Sequence, residues 1–300
     1  MTCNKPSIAT PKSHLLHHDG VALCKKLLRG FGIMLLCLWF SAGYIFAQAQ
    51  KDSSFKLIKI ITGDIVDFTT DNLGNIFLVG ERQQIKKLND HFDSVGLFND
   101  VRRYGKLHSI DASNPLKLLL FYREFATIVV LDRFLNLRNT IDLRLSNIFQ
   151  CRAIGQSYDN NLWAFDDLDY KIKKIDEGGK QLLETPDFRI LFDAPPRPDK
   201  IEDFNRFLFA YDSTKGLSIF DYYGALKNQV ALKKLKDVHG FSKGIIARDS
   251  TSLVYYEPST IETTHQLLPV AISSALKIRI VGNKLFSMPV YGMIEVYQLP

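Results

Sequence analysis

Few residues in this chain have types and spacing suited to chemistry. Gly240-Phe-Ser242-Lys-Gly244 matches the G-x-S-x-G pattern of serine hydrolases, and Asp249 and His265 follow in the order Ser, Asp, His. Such a serine works from a tight strand-to-helix turn that lifts its hydroxyl out of the sheet. No helical periodicity follows Gly244, and only 56 residues remain after it, too few for a hydrolase domain. The match is read as the opening of the fifth β unit rather than a nucleophile's turn. Metal chemistry has no better footing. His91, His108, His239 and His265 lie far apart, with no H-E-x-x-H and no paired cysteines nearby. Asp166-Asp-Leu-Asp169 begins like a calcium loop but lacks the glycine and closing glutamate of one, so it is read as a solvated hairpin turn. Cys151 sits in an alternating apolar stretch and is read as a small buried hydrophobe rather than a nucleophile.

What remains is a set of charged residues at the ends of short candidate strands: Asp67, His108, Asp111, Arg152, Glu202, Asp203 and Arg279. They come from segments far apart in sequence. Only a fold that gathers strand ends at one place can make them act together.

A repeat supplies such a fold. An aliphatic residue, two variable residues, an apolar residue and a polar one recur as Ile85-Lys-Lys-Leu-Asn89, Ile128-Val-Val-Leu-Asp132, Ile172-Lys-Lys-Ile-Asp176 and Leu217-Ser-Ile-Phe-Asp221. Weaker copies start at Ile261 and Ile294, and the successive spacings are 43, 44, 45, 44 and 33. About ten residues before each copy lies a short apolar, aromatic-rich run. Examples are Ile76-Phe-Leu-Val79, Leu118-Leu-Leu-Phe-Tyr122, Leu162-Trp-Ala-Phe165, Leu208-Phe-Ala-Tyr211, Leu253-Val-Tyr-Tyr256 and Leu285-Phe-Ser-Met288. These runs are too short for helices and read as strands buried on both faces. Six such units predict an all-β, six-bladed β-propeller, with the charged strand ends around its central channel. The last unit lacks a fourth strand, and an orphan strand at 55–61 is free to supply it by pairing near 293–297. Paired basic residues (Lys86-Lys87, Arg102-Arg103, Lys173-Lys174, Lys233-Lys234) are read as exposed edges or turns. Trp163 is read as core, and the Pro-rich stretch 194–198 as a surface linker between blades.

Asp71-Asn-Leu-Gly-Asn75 with Ile85-Lys-Lys-Leu-Asn89, and Asp159-Asn-Asn161 with Ile172-Lys-Lys-Ile-Asp176, resemble the blades of NHL-type six-bladed propellers. The stretch from Ile110 to Asp132 also resembles a family of exported bacterial propeller-like proteins. The resemblance implies the fold and carries no catalytic residue with it.

Residues 25–49 resemble a secretory leader: Lys25-Lys-Leu-Leu-Arg29, an apolar run from Phe31, then Ala47-Gln48-Ala49. Residues 1–49 are expected to leave as a signal peptide, and residues 50–300 to form the propeller. Cys3, Cys24 and Cys37 would go with the leader, so no intramolecular disulfide is expected. The chain has 38 basic and 32 acidic residues, net +6, but five bases and one acid lie within the first 49. The body is near neutral, which argues against a nucleic-acid partner. The expected protein is thus an exported, monomeric, non-catalytic scaffold of the periplasm or cell envelope. It would present loops to an envelope protein, with no cofactor and no membrane span after cleavage. The alternatives are a hydrolase or lactonase using a channel-bound metal such as Ca²⁺, and a glycan-binding propeller.

Overall fold

The computed structural model describes residues 55–99 and 103–299. The leader read over 1–49 lies outside them. The described chain is a six-bladed, all-β propeller of six four-stranded antiparallel sheets. Blades one to five are meanders of consecutive strands at 67–98, 109–142, 151–184, 200–230 and 236–267. Blade six takes three strands from 277–298 and its fourth from the opposite end of the chain. There Lys56–Thr62 pairs antiparallel with Met293–Gln298, with Ile61 opposite Ile294 and Leu57 opposite Tyr297. Each first strand touches the first strand of the next blade, and that of blade six touches that of blade one.

The aromatic-rich runs hold this ring together because a strand sends alternate side chains to opposite faces. In Lys117–Tyr122 every residue is buried. Leu118, Leu120 and Tyr122 pack with Phe77 and Ile85 of blade one, while Leu119 and Phe121 pack with Ile154 and Leu162 of blade three. Trp163 and Phe165 likewise face Leu208 and Phe220 of blade four. Six such apolar clusters fill the six blade–blade interfaces. Each large side chain buried there contributes roughly 1.5–3 kcal/mol, which outweighs any single turn contact.

Three sequence readings change. In blade five, the run Leu253-Val-Tyr-Tyr256 lies in the third strand (Ser252–Glu257), and the second is Gly244–Arg248. The second strand there carries no aromatic, so the aromatic signal fell one strand late, and the copy at Ile261 runs into the exposed fourth strand, Glu262–Leu267. Next, Lys87, Lys173 and Lys174 are buried rather than exposed. Lys87 stands opposite Phe77, its ammonium 5.3 Å from the ring centre, and donates to the Arg133 carbonyl at 2.8 Å. Lys174 stands opposite Trp163 at 4.9 Å from its ring and donates to Asp159 at 2.7 Å. A buried ammonium is tolerated where an aromatic face and oxygen acceptors replace water. Finally, Asp166 is buried against Lys173 at 2.7 Å rather than solvated.

Every first strand starts at one face of the disc, the upper face, and ends at the lower. Lower-face turns within blades span at most five residues. Upper-face links between blades run to fifteen residues, at 185–199. That link contains a single-turn helix, α1 (Phe188–Leu191), and the link at 268–276 contains a second, α2 (Val270–Ser273). Pro196 and Pro198 of the Pro-rich stretch are buried, and the Arg197 amide donates to Asp212 at 2.7 Å.

Candidate functional site

The polar residue closing each strong repeat copy has a structural task. Asp132 Oδ1 accepts the amides of Phe134 and Asn136, Asp176 those of Gly178 and Lys180, and Asp221 those of Tyr223 and Ala225. Asn89 does the same for His91 and Asp93. These side chains fasten the hairpin between third and fourth strands by satisfying turn amides. None is available for chemistry.

Ser242 occupies the turn between strands Lys236–Phe241 and Gly244–Arg248 of blade five. No helix follows. Asp249 lies beyond the far end of a five-residue strand, about 17 Å along the sheet at strand rise. His265 sits 3.8 Å from Asp249. The three side chains do not form a relay.

The central channel opens into a cavity at each face. The upper cavity, about 280 Å³, is lined by Asp67, His108, Asp199, Lys200, Lys277 and Arg279, among others. The lower, about 350 Å³, is lined by Glu202, Phe204, His239 and Phe241, with Arg279 again at its wall. Arg279 is thus the side chain shared by both ends.

The seven charged residues singled out from sequence separate into three groups. Asp67, His108 and Arg279 meet at the upper cavity, with Arg152 close enough to act on His108. Glu202 lines the lower cavity, 2.7 Å from Lys200 on the same strand. Asp111 and Asp203 are taken up between blades. Asp111 accepts the Gln156 amide at 2.7 Å. Asp203 accepts the Trp163 indole and the Ser157 hydroxyl, each at 2.9 Å. Burial pushes the Asp203 carboxyl up, against the pull of those bonds.

At the upper cavity, Asp67 is bound to Lys277 across the seam between blades one and six at 2.7 Å. Asp237 is bound to the buried Arg248 at 2.6 Å, whose remaining donors hold carbonyls of the α2 link. His108 lies edge-on to Phe121. Its imidazole is lowered to about 4, first by burial against that wall and then by Arg123, Arg152 and Lys106. It stays neutral at pH 7 although part of the ring faces the open funnel. Burial raises the Asp199 carboxyl, with Arg152 and Arg123 opposing. Arg123 donates to the Arg152 carbonyl, and Arg152 to the Arg197 carbonyl at 3.1 Å. Nε of Arg123 and Nε of Arg279 are both buried without a hydrogen-bond partner. Leaving a buried donor unmet costs about 1–3 kcal/mol.

Sequence reasoning missed Arg123, Asp199 and Lys200. Arg123 sits on a 3₁₀ turn between the second and third strands of blade two, and Asp199 ends a long loop. Neither position repeats from blade to blade, so periodicity gives no signal for them.

Among the described residues, no cluster of three or more His, Cys, Asp or Glu side chains is placed to hold a metal ion. Cys151 is buried and free, its thiol pushed up mainly by burial. No described helix is long and apolar enough to cross a membrane.

No protein-family model and no curated protein matches this sequence. Solved structures match its shape. A virginiamycin B lyase from Staphylococcus aureus is 10% identical, with a TM-score of 0.58, over 81% of this chain and 99% of that one. A streptogramin B lyase is 13% identical, with a TM-score of 0.55, over 82% and 86% of the two chains. The Neurospora crassa Pan2 WD40 domain is 10% identical, with a TM-score of 0.56, over 84% and 97%. At these identities the likeness is one of fold: the chain is a propeller, similar in shape to enzymes and to WD40 domains alike.

Proposed function

We propose that this is an exported, non-catalytic binding propeller of the cell envelope that presents its upper face to a protein partner. The observation that carries the reading is the larger share of exposed large apolar side chains on upper-face loops and turns among the described residues, nine against the six of the lower-face turns. Leu145, Phe149, Ile190, Val270 and Tyr291 are each at least 60% exposed there, around a charged funnel. Large apolar side chains exposed together on one face mark protein-binding surfaces. Asp67, His108, Arg152 and Arg279 are the sequence-chosen residues that this face would use. Glu202 opens on the lower cavity, and Asp111 and Asp203 belong to the framework. The leader-like segment supports export, and the turn and strand motifs support kinship with NHL-type blades. Structural neighbours include both lyases and WD40 domains, so shape alone favours neither catalysis nor scaffolding.

The test compares two surface variants of the full-length protein in its own cells after chemical crosslinking. Leu145→Asp with Ile190→Asp should abolish recovery of crosslinked partner at an unchanged melting temperature. Leu73→Asp with Tyr223→Asp, on the lower face, should leave recovery intact. The reverse pattern would overturn the reading.

A further inference from the structure

The ion pairs of the upper funnel do not cancel its charge. Asp67 is matched by Lys277, Asp237 by Arg248, and Lys200 by Glu202. That leaves Asp199 against Arg123, Arg152 and Arg279, none of which is bound to a carboxylate. Asp212, which acts on Asp199 and has no cationic partner among the described residues, offsets a second guanidinium, so one positive charge is in excess and Lys106 at the rim brings the total to two. The neighbouring imidazole contributes no charge at neutral pH. Arg279 lines the channel and donates no hydrogen bond to the described residues, while its Nε and that of Arg123 are buried behind the guanidinium tips. A guanidinium fork with free donors suits the paired oxygens of a carboxylate or phosphate. The cavity, about 280 Å³, is at the small end of ligand pockets and admits a molecule of a few heavy atoms rather than a peptide.

We propose that the upper end of the channel is a binding site for a small oxyanion carrying two negative charges, gripped by Arg279 from within and by Arg123 and Arg152 at the rim. The shared chemistry is a pair of anionic oxygens, supplied by a dicarboxylate or by phosphate. The site is independent of the apolar loop tips: partner binding can fail while the anion binds, and the converse.

Isothermal titration of the full-length protein at low salt, with succinate and separately with inorganic phosphate, tests this. One of the two should bind, and the one that does names the source. At a hundredfold excess over its dissociation constant it should raise the melting temperature by roughly 5–10 °C. Arg279→Gln and Arg152→Gln should each weaken binding at least tenfold, and Arg279→Lys less, because charge is kept and the fork lost. Lys233→Gln, outside the funnel, should change nothing. The His108 imidazole is a reporter that needs no variant. Followed by NMR, its pKa should rise from about 4 when the anion is bound, because nearby negative charge favours the imidazolium. If Arg279→Gln does not fold, Arg152→Gln and the His108 titration still decide. Binding of neither anion, binding indifferent to Arg279 and Arg152, or an unmoved His108 would show a funnel filled by water alone.

Discussion

The two faces of the disc are built differently. On the lower face, turns are short and recur from blade to blade, five of them fastened by the same Asn or Asp geometry. On the upper face, the links differ in length and content, and two carry single-turn helices. The lower face is what the repeat needs in order to fold. The upper face carries the variation that no repeat requires, which is where binding specificity usually resides in a rigid scaffold. Both faces hold ion pairs, Asp159 with Lys174 below and Asp67 with Lys277 above, but at the upper funnel Arg123, Arg152 and Arg279 have no carboxylate partner among the described residues.

The contrast breaks most completely if the ring is opened, since both faces depend on it. Deleting residues 55–62 removes the fourth strand of blade six and exposes Val296 and Ile294, which are fully buried. The deletion product should be insoluble or lack a cooperative melt by calorimetry. A soluble product that melts cooperatively would refute closure by this strand.

A smaller effect is a pH dependence to which a histidine of each face contributes. His239, fully buried at the lower cavity, donates from Nδ1 to the Asp237 carbonyl and accepts the Ile280 amide at Nε2, tying blade five to blade six. Burial holds its pKa well below 6.5 in the folded protein. In the unfolded chain it titrates near the ordinary value, so below that value the unfolded state binds more protons. Stability is therefore present above pH 6.5 and is lost as pH falls, by up to about 1.4 kcal/mol per pH unit for this one group. His108 adds the same sign between 6.5 and about 4. Urea midpoints measured from pH 7.5 to 5 should fall in the wild-type protein and fall less steeply in His239→Gln. Equal slopes would remove His239 from the account.

The smallest effect compares single positions. Asp221→Ala, on a lower turn, should cost about 1 kcal/mol in urea denaturation, because it strands two turn amides. Leu145→Ser, on an upper loop, should stay within about 0.5 kcal/mol. A costly Leu145→Ser would make that loop part of the core rather than a free surface.

The framework was legible because its physics is periodic. Second strands must be apolar on both faces, and third strands must end in a turn-fastening oxygen, so both recur in sequence. Blade five hid its second strand, Ile245-Ile-Ala247, because no aromatic marks it. The site was only partly legible because first strands break the period-two rule. Bulges fall between Cys151 and Ala153 and between Asp111 and Asn114, and each re-aims the side chains that follow. The strand at 200–204 has no bulge, and its alternation sends Glu202 to the channel and Asp203 to the Trp163 indole, but nothing in the two like residues shows which of them goes where. Asp67 looks the same as either, and only the ring shows that Lys277 awaits it 210 residues away.

The central claim, that function resides on the upper face, meets its most direct test in site-specific photocrosslinking in living cells. A photoreactive side chain is placed at Ile190, on an upper loop, or at Tyr223, on a lower turn; both are more than 80% exposed. A discrete protein adduct is expected from position 190 and none from position 223. An adduct from position 223 alone would contradict the claim.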